Sequence, residues 1–473
     1  MIHPLKKMTI MKRIIVSVTS ILTVALLFVA TQRIQAQQVN SLYFLEKTPF
    51  HTKWNPAMAP SRPGIGVGIS SISLNVHSDL AMSDLFYPSA DGTQLYTVLH
   101  PSVDKNAFIS GLNDVSNIGG GMSMDLLNLG LKFGGLYLTF NSSVNTDMGI
   151  GLPRDLFKFI MLGTNSSGSA LDLSALNINA MMYAKAGVGL SVKLGKMLSV
   201  GASANYLMGL ADMRLGFDQF SIASSGSALN ITTKGDLRLT APKAIGMEFN
   251  PDGTFKTINF DKNYLTNVQS DPMGNLPQSG KGMSFDVGLT FKPLNFLTLS
   301  AAVIDFGSIT WDPASISQAK SNGTFTYTGA DLNGGGTTSM TEQLTNFMNL
   351  QEYTDVQAYT TKLTTKINVG VEAGAFNNHI TIGLLSQTGI SDNGNYQDYM
   401  ASLNLKPGSL LQTSLSYSLL HGEMSSFGAA VNLKLLLFNL FVAADYIPLK
   451  VTPQYIPINN SFFNLQTGFN LMF

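Results

Sequence analysis

Five histidines follow residue 36: His51, His77, His100, His379 and His421. A metal site wants donors two or four apart on one face, and no pair has that spacing. Nucleophilic catalysis wants Ser, His and a carboxylate or amide that converge. The stretch "SLLHGEMSS" comes nearest, with His421, Glu423 and Ser425 close together. Residues one or two apart on a strand point to opposite faces or stand side by side, so this segment supplies no proton relay by itself. The run Gly64-x-Gly66-x-Gly68 has the glycines of a phosphate loop, but it opens a strand and no helix follows. It reads as a stretch of wall that other groups approach closely. "PDGTF" at 251–255 and "SDNGN" at 391–395 lack the oxygen spacing of a calcium loop and read as turns. No catalytic residue, metal ligand or cofactor is assigned.

A chain so poor in reactive constellations has to be read through the elements that carry it. Lys6, Lys7, Lys12 and Arg13 precede an apolar run, Ile14 to Ala30, and "TQRIQA" leads to Ala36. That is the three-part layout of a secretory signal peptide over 1–36, the alternative being an uncleaved N-terminal anchor. Five of the 29 basic residues lie in this segment and none of the 29 acidic ones, which leaves 24 against 29, a net of −5. Nucleic acid is not an expected partner. Charged residues are 12% of the chain, about half the usual share, while hydrophobic ones reach 45%. The apolar residues are interleaved with Ser, Thr, Asn and Gly, as expected where lipid lies on one side of a sheet and water on the other.

The interleaving has period two. Leu127, Leu129, Leu131 and Phe133 alternate up to Gly134-Gly135, and Leu136, Leu138 and Phe140 continue behind it. This is a hairpin on a two-residue turn. The pattern recurs at 186–206 about Gly195-Lys196, at 285–306 about "KPLN", and at 399–419 about "KPGS". Further strands are expected at 64–76, 365–375, 379–386, 426–436, 438–446 and 461–473. The opposite positions, such as Asn128, Lys132, Ser191, Asn205, Ser414 and Ser416, are small or polar and suit a lumen. A soluble sandwich also alternates, so this feature alone does not decide. Tight turns alternate with long polar connections at 141–183, 209–282 and 307–362, an arrangement of outer-membrane barrels. Two short helices are expected in them, at "LPRDLFKFIMLG" behind Pro153 and at "TSMTEQLTNFMNLQ".

At the other end, Phe463, Leu465, Thr467, Phe469, Leu471 and Phe473 alternate without a turn. Thr467, Gly468, Leu471 and Phe473 resemble the C-terminal signal of outer-membrane barrels. That resemblance implies recognition of the last strand by the barrel-assembly machinery through edge pairing.

Between the leader and Gly64, "SLYFLEKTPFHTKWNPAMAPSRPG" holds Pro49, Pro56, Pro60 and Pro63 and cannot be one strand or helix. It reads as a folded plug, or hatch, at 37–63, with Phe44, Phe50 and Trp54 as apolar anchors and Asn55-Pro56 as a turn. Asn55-Pro56-Ala57 in this place resembles the signature of the long-chain fatty-acid transporter superfamily, which includes hydrocarbon transporters and the barrel that works with type IX secretion. The "SLYFLE…NPA" opening, with Trp311 before a long loop, most resembles a domain-of-unknown-function family of outer-membrane barrels. The resemblance implies an all-β, antiparallel transmembrane β-barrel of about 14 strands, at 64–473, with the hatch inside. In the transporter branch a hydrophobic ligand passes along the hatch and leaves through a gap in the wall. No ligand-contacting residue of that branch can be matched here.

The expected protein is therefore exported to the outer membrane of a Gram-negative cell and sits in its lipid. It passes small hydrophobic molecules beside Phe44, Phe50, Trp54, Asn55, Pro56 and Ala57. The alternative is an adaptor barrel bound to a secretion-system or surface-protein partner, and a membrane lipid hydrolase stands last.

Overall fold

The computed structural model describes residues 40–45, 49–60, 64–80, 82–89, 94–163, 170–225, 228–242, 245–261, 278–327, 347–392, 395–408, 410–420, 424–445 and 463–473. The leader, His421 and Glu423, and all of the second expected helix before Phe347 lie outside these residues.

Alternation by twos has one closed solution here. Fourteen strands pair antiparallel around a ring: β1 (Gly64–Ser78), β2 (Val115–Phe133), β3 (Leu136–Pro153), β4 (Asn177–Leu194), β5 (Leu198–Ser225), β6 (Gly280–Leu294), β7 (Leu297–Trp311), β8 (Thr365–Ala375), β9 (Ile380–Ile390), β10 (Tyr396–Leu405), β11 (Leu411–Leu420), β12 (Met424–Leu435), β13 (Phe438–Ala444) and β14 (Phe463–Met472). β14 returns to β1, with Gly66 opposite Met472 and Val76 opposite Phe463, which closes the ring.

The two faces of each strand differ as a lipid boundary requires. Leu129, Leu131, Val188, Leu190, Ile382, Leu384, Leu415 and Val442 face outward and exposed. Asn128, Ser191, Thr381, Ser414, Asn439 and Asn470 face inward and buried. At the rim of tight turns, Phe133, Phe296, Phe376, Phe438 and Phe473 stand exposed. Tyr206, Phe285, Phe306 and Phe427 form a second exposed set, nine or ten residues further along their strands. At about 3.3 Å per residue and the usual tilt, the two girdles are roughly 25 Å apart, the apolar height of an outer-membrane barrel. The protein is an all-β transmembrane barrel.

The turns at that rim use left-handed residues, Gly134, Gly195, Phe376, Asn377, Asn378 and Leu436, as two- to four-residue hairpin loops demand. The β6–β7 turn falls at Asn295–Phe296, later than "KPLN" implied.

The opposite rim corrects the expected loop limits. β3 and β4 extend well into 141–183, and β5 continues to Ser225. Ala228–Thr240 folds back on β5, and Ile316–Tyr327 adds a further strand to it. Beyond the lipid neither face must be greasy, so backbone pairing proceeds without requiring an alternating pattern. Leu156, Leu173, Phe220, Ile222, Ile231 and Phe347 give this outer region an apolar core of its own. Helix α1 (Lys105–Gly111) and helix α2 (Arg154–Leu162) lie in it. α2 starts behind Pro153 and stops at Gly163, as read from the sequence.

Candidate functional site: an N-terminal hatch in the lumen

The hatch is two short helical turns, Asn40–Leu42 and Pro49–Lys53, followed by a turn at Asn55–Ala57. Asn55 shapes that turn: its Oδ1 accepts from Ala57 N at 2.9 Å, which locks the chain ahead of the proline-rich exit. Such a segment has too little internal backbone pairing to be buried unaided, so the barrel supplies partners. The Asp445 carboxylate accepts from Asn40 N and from Ser41 N, the latter at 3.2 Å. Asn368 Nδ2 donates to Trp54 O at 2.9 Å and is itself held by Gln387 Nε2 at 2.8 Å. His51 Nε2 meets Tyr43 O inside the hatch. Tyr43 OH lies 3.0 Å from Ser300 Oγ, and burial pushes its phenol up to about 12, so it remains a protonated donor.

The Asn-Pro-Ala turn sits against the wall itself. Asn55 Nδ2 donates to Leu289 O at 3.1 Å and Ala301 O at 3.2 Å, on paired strands β6 and β7. Gly201 and Gly288 face each other on β5 and β6. A Cβ on Gly201 would lie 2.4 Å from the Pro56 carbonyl, and one on Gly288 2.1 Å from Asn55 Oδ1. Two side chains are missing from the wall so that backbone can reach backbone. The expected close approach at Gly64–Gly68 is also present, with the Phe50 ring over Gly68 and the Phe473 carbonyl against Gly64.

The hatch has two unlike sides. Toward β9–β13, Leu42, Tyr43, Phe44, Leu45, Phe50 and Trp54 pack with Leu385, Met400, Ala430, Phe441 and Ala443. Phe50 and Phe441 are 5.5 Å apart between ring centres. Toward β2–β7, Lys53 pairs with buried Asp125, and a polar cavity of about 60 Å³ opens beside Thr52 and Lys53. Asn141, Asn145, Lys185, Ser203, Asn205, Asp286 and Asp305 line it. It has room for a few waters and the polar partners to hold them. Lys185 Nζ stands 2.6 Å from Asp305 and 3.8 Å from Asp286, with Lys366 3.9 Å from Asp305. Here β7 bulges against β6: Asp305 takes φ 59° and its N–H donates to Asp286 Oδ1 at 2.7 Å. A left-handed Asp beside a bulge holds strain at a wall facing the hatch. The Trp54 indole N–H is buried and has no acceptor among the described residues, a cost of about 1–3 kcal/mol.

Phe44, Phe50 and Trp54 are thus brought together, but packed on the wall rather than lining an open pocket. Asn55, Pro56 and Ala57 come together at the β5–β6 seat. Thr467 and Gly468 lie mid-way along β14, while Leu471 and Phe473 mark its end, where Phe473 and Ile65 exchange backbone hydrogen bonds. Trp311 is buried beside Tyr359 and donates to Thr361 Oγ1 at 2.9 Å. The residues missed from sequence are the receivers: Asp125, Ser300, Asn368 and Asp445, with Gly201 and Gly288. They lie 72 to 405 residues from their hatch partners, and single polar or glycine positions in alternating strands carry no mark of that role.

Fold and site together define a transmembrane β-barrel plugged by its own N-terminal segment. Residues 56–445 match the profile of a family of unknown function, DUF5723, and the chain belongs to that family. No curated protein matches it. Among solved structures it is similar to the CymD monoaromatic hydrocarbon channel, at 8% identity over 90% of this chain and 94% of that one, with a TM-score of 0.40. A Pseudomonas aeruginosa FadL homologue matches at 10% identity over 89% and 92%, with a TM-score of 0.39. The P. putida toluene transporter TodX matches at 10% identity over 88% and 91%, with a TM-score of 0.35.

Proposed function

We propose that this barrel is a gated passive route for small hydrophobic molecules across the outer membrane of a Gram-negative cell, with residues 40–60 as the gate. The observation that supports the reading is the two-sidedness of the hatch. Apart from the Asp445 tie at its first residues, the contacts shown between the described hatch residues and β9–β13 are those of one apolar cluster. Apolar contact is non-directional and tolerates sliding, whereas the Asn55 seat and the Lys53–Asp125 pair are directional. A hatch that pivots on the polar side opens a crevice lined by Phe44, Phe50, Trp54, Leu385, Met400 and Phe441. An aromatic-lined crevice takes an apolar molecule and rejects ions. Before β14 pairs with β1, the pattern Thr467, Gly468, Leu471, Phe473 serves as the assembly signal for the barrel machinery.

Uptake of a labelled fatty acid by cells with and without the gene tests this, repeated after deletion of residues 40–62. Uptake that depends on the gene and loses its control in the deletion supports the gate. Equal uptake in all three strains sinks it. That result would favour the adaptor reading, for which the ordered outer sheet and its separate apolar core provide a platform.

A further inference from the structure

Five of the six hairpins at the tight-turn rim share a feature of sequence. A lysine stands at the end of the strand that runs into the turn: Lys132 in "LKFGG", Lys193 in "VKLGK", Lys292 in "FKPLN", Lys406 in "LKPGS" and Lys434 in "LKLLL". Each lies an even number of residues beyond a buried, lumen-facing one, namely Asn128, Ser191, Thr290, Asn404 and Asn432. Alternation therefore turns all five side chains into the mouth of the lumen. Their backbones sit at one level, each on a neighbouring turn. Lys193 N donates to Gly135 O at 2.8 Å, Lys292 N to Met197 O at 2.6 Å, and Lys406 N and Lys434 N to His379 O and Leu410 O at 2.7 Å. Lys132 is opposite Gly64, where β1 begins.

This ring of charge is not balanced. Among the described residues Glu372 is the one acidic side chain on the lumen face at this level, and it is engaged by Lys406. Lys132, Lys193, Lys292 and Lys434 have no ion pair or side-chain hydrogen bond among the described residues. Lys132 is only 9% exposed, and a cation buried without a counter-charge is costly. The carboxylate of Phe473 offsets at most one of the four charges. At the other end of the molecule exposed lysines are matched: Lys234 by Asp218, Lys256 by Glu248 and Lys362 by Asp392.

The neighbours of these lysines indicate what approaches them. Phe133, Leu194, Leu405 and Leu435 each stand one residue away, exposed on the lipid face. The ammonium groups thus lie across the wall from lipid and meet what arrives through water. In outer-membrane barrels the tight-turn rim faces the periplasm. Lys132, Lys193 and Lys292 occupy alternate strands, about 10 Å apart at the usual strand spacing. The arc from Lys434 through these to Lys292 crosses eight strand intervals, roughly 40 Å. A small anion reaches one or two of these groups, whereas a chain bearing several carboxylates reaches along the arc.

We propose that the tight-turn rim is a docking ring for an acidic segment of a periplasmic protein, whose carboxylates meet Lys132, Lys193, Lys292 and Lys434. The ring is independent of the hatch and of what crosses the barrel. The test uses the full-length barrel in detergent micelles and the fluorescence anisotropy of labelled octa-aspartate and octa-asparagine at low salt. Octa-aspartate binds, and octa-asparagine binds at least about tenfold more weakly, because each lysine pairs only with a carboxylate. Replacing the four lysines together by Gln weakens octa-aspartate at least about tenfold. The double variant Lys193→Gln/Lys292→Gln, which alters exposed side chains alone, weakens it about threefold and keeps the heat-resistant gel mobility of the folded barrel. Replacing Lys158, Lys234, Lys256 and Lys362 together by Gln removes the same charge from the opposite end and leaves binding within about twofold. Equal weakening by the two quadruple variants overturns the ring, as does absence of octa-aspartate binding up to about 1 mM. Full-strength binding by the double variant overturns it too. Displacement of the octapeptide by succinate at equal carboxylate concentration overturns an extended partner.

Discussion

The two sides of the hatch are held by different physics. Toward β9–β13, five wall side chains and six hatch side chains share one apolar cluster. Toward β2–β7, single atoms decide: Asn55 Nδ2 between two carbonyls, Lys53 on Asp125, and a wall with two missing side chains. The first side supplies burial energy with little positional preference, and the second supplies position with little net energy. A plug that must stay in place and still move benefits from having both, on opposite flanks.

The largest expected effect tests the apolar flank. Phe441→Ala removes a ring 1% exposed against Phe50, and should cost about 4 kcal/mol in urea unfolding from lipid vesicles. It should also raise permeability to an apolar dye before it raises ion conductance. Conductance rising first would mean the seam seals against water, and the contrast between flanks would be drawn wrongly.

On the polar flank, Lys53→Met strands the buried Asp125 carboxylate and should cost about 3 kcal/mol. Adding Asp125→Leu should restore most of that loss, because removal of both charges leaves nothing buried and unpaired. A double variant as unstable as the single one would show that the pair acts through something other than charge.

Gly288→Ala puts a methyl against Asn55 Oδ1 and the Pro56 ring. The expected cost is about 2 kcal/mol, with faster proteolysis of the hatch as its signature. Asn55→Ala should come last, at about 1–2 kcal/mol, since it loses hydrogen bonds to two carbonyls that retain strand neighbours. If Gly288→Ala leaves the hatch protected while Asn55→Ala releases it, the seat is held by hydrogen bonds rather than by shape.

How much of this was legible in advance differs by region. Leu129, Leu131 and Phe133 announce a lipid-facing strand because lipid tolerates no polar side chain there. The outer half of β3 is hidden because Asn141–Asn145 shows no alternation, whereas that of β5 carries a signal, Ala211, Met213, Leu215 and Phe217 at every second position, inside a segment expected as loop. They are strands all the same, paired above the lipid where no alternation is enforced. The Asn55–Ala57 turn could be read from its own residues, because an Asx turn is local. Its seat could not be.

By itself, then, the sequence determined the barrel, its lipid face, the tight-turn rim and the existence of a plug. Each follows from interactions with lipid or with residues nearby in the chain. Only the tertiary structure decided that the plug's anchors pack on Phe441 rather than line a pocket, that Gly201 and Gly288 make its seat, and that Asp445 ties its first residues. Those choices join positions as far as 405 residues apart. Closure of the ring, not any local preference of the chain, is what brings them within reach.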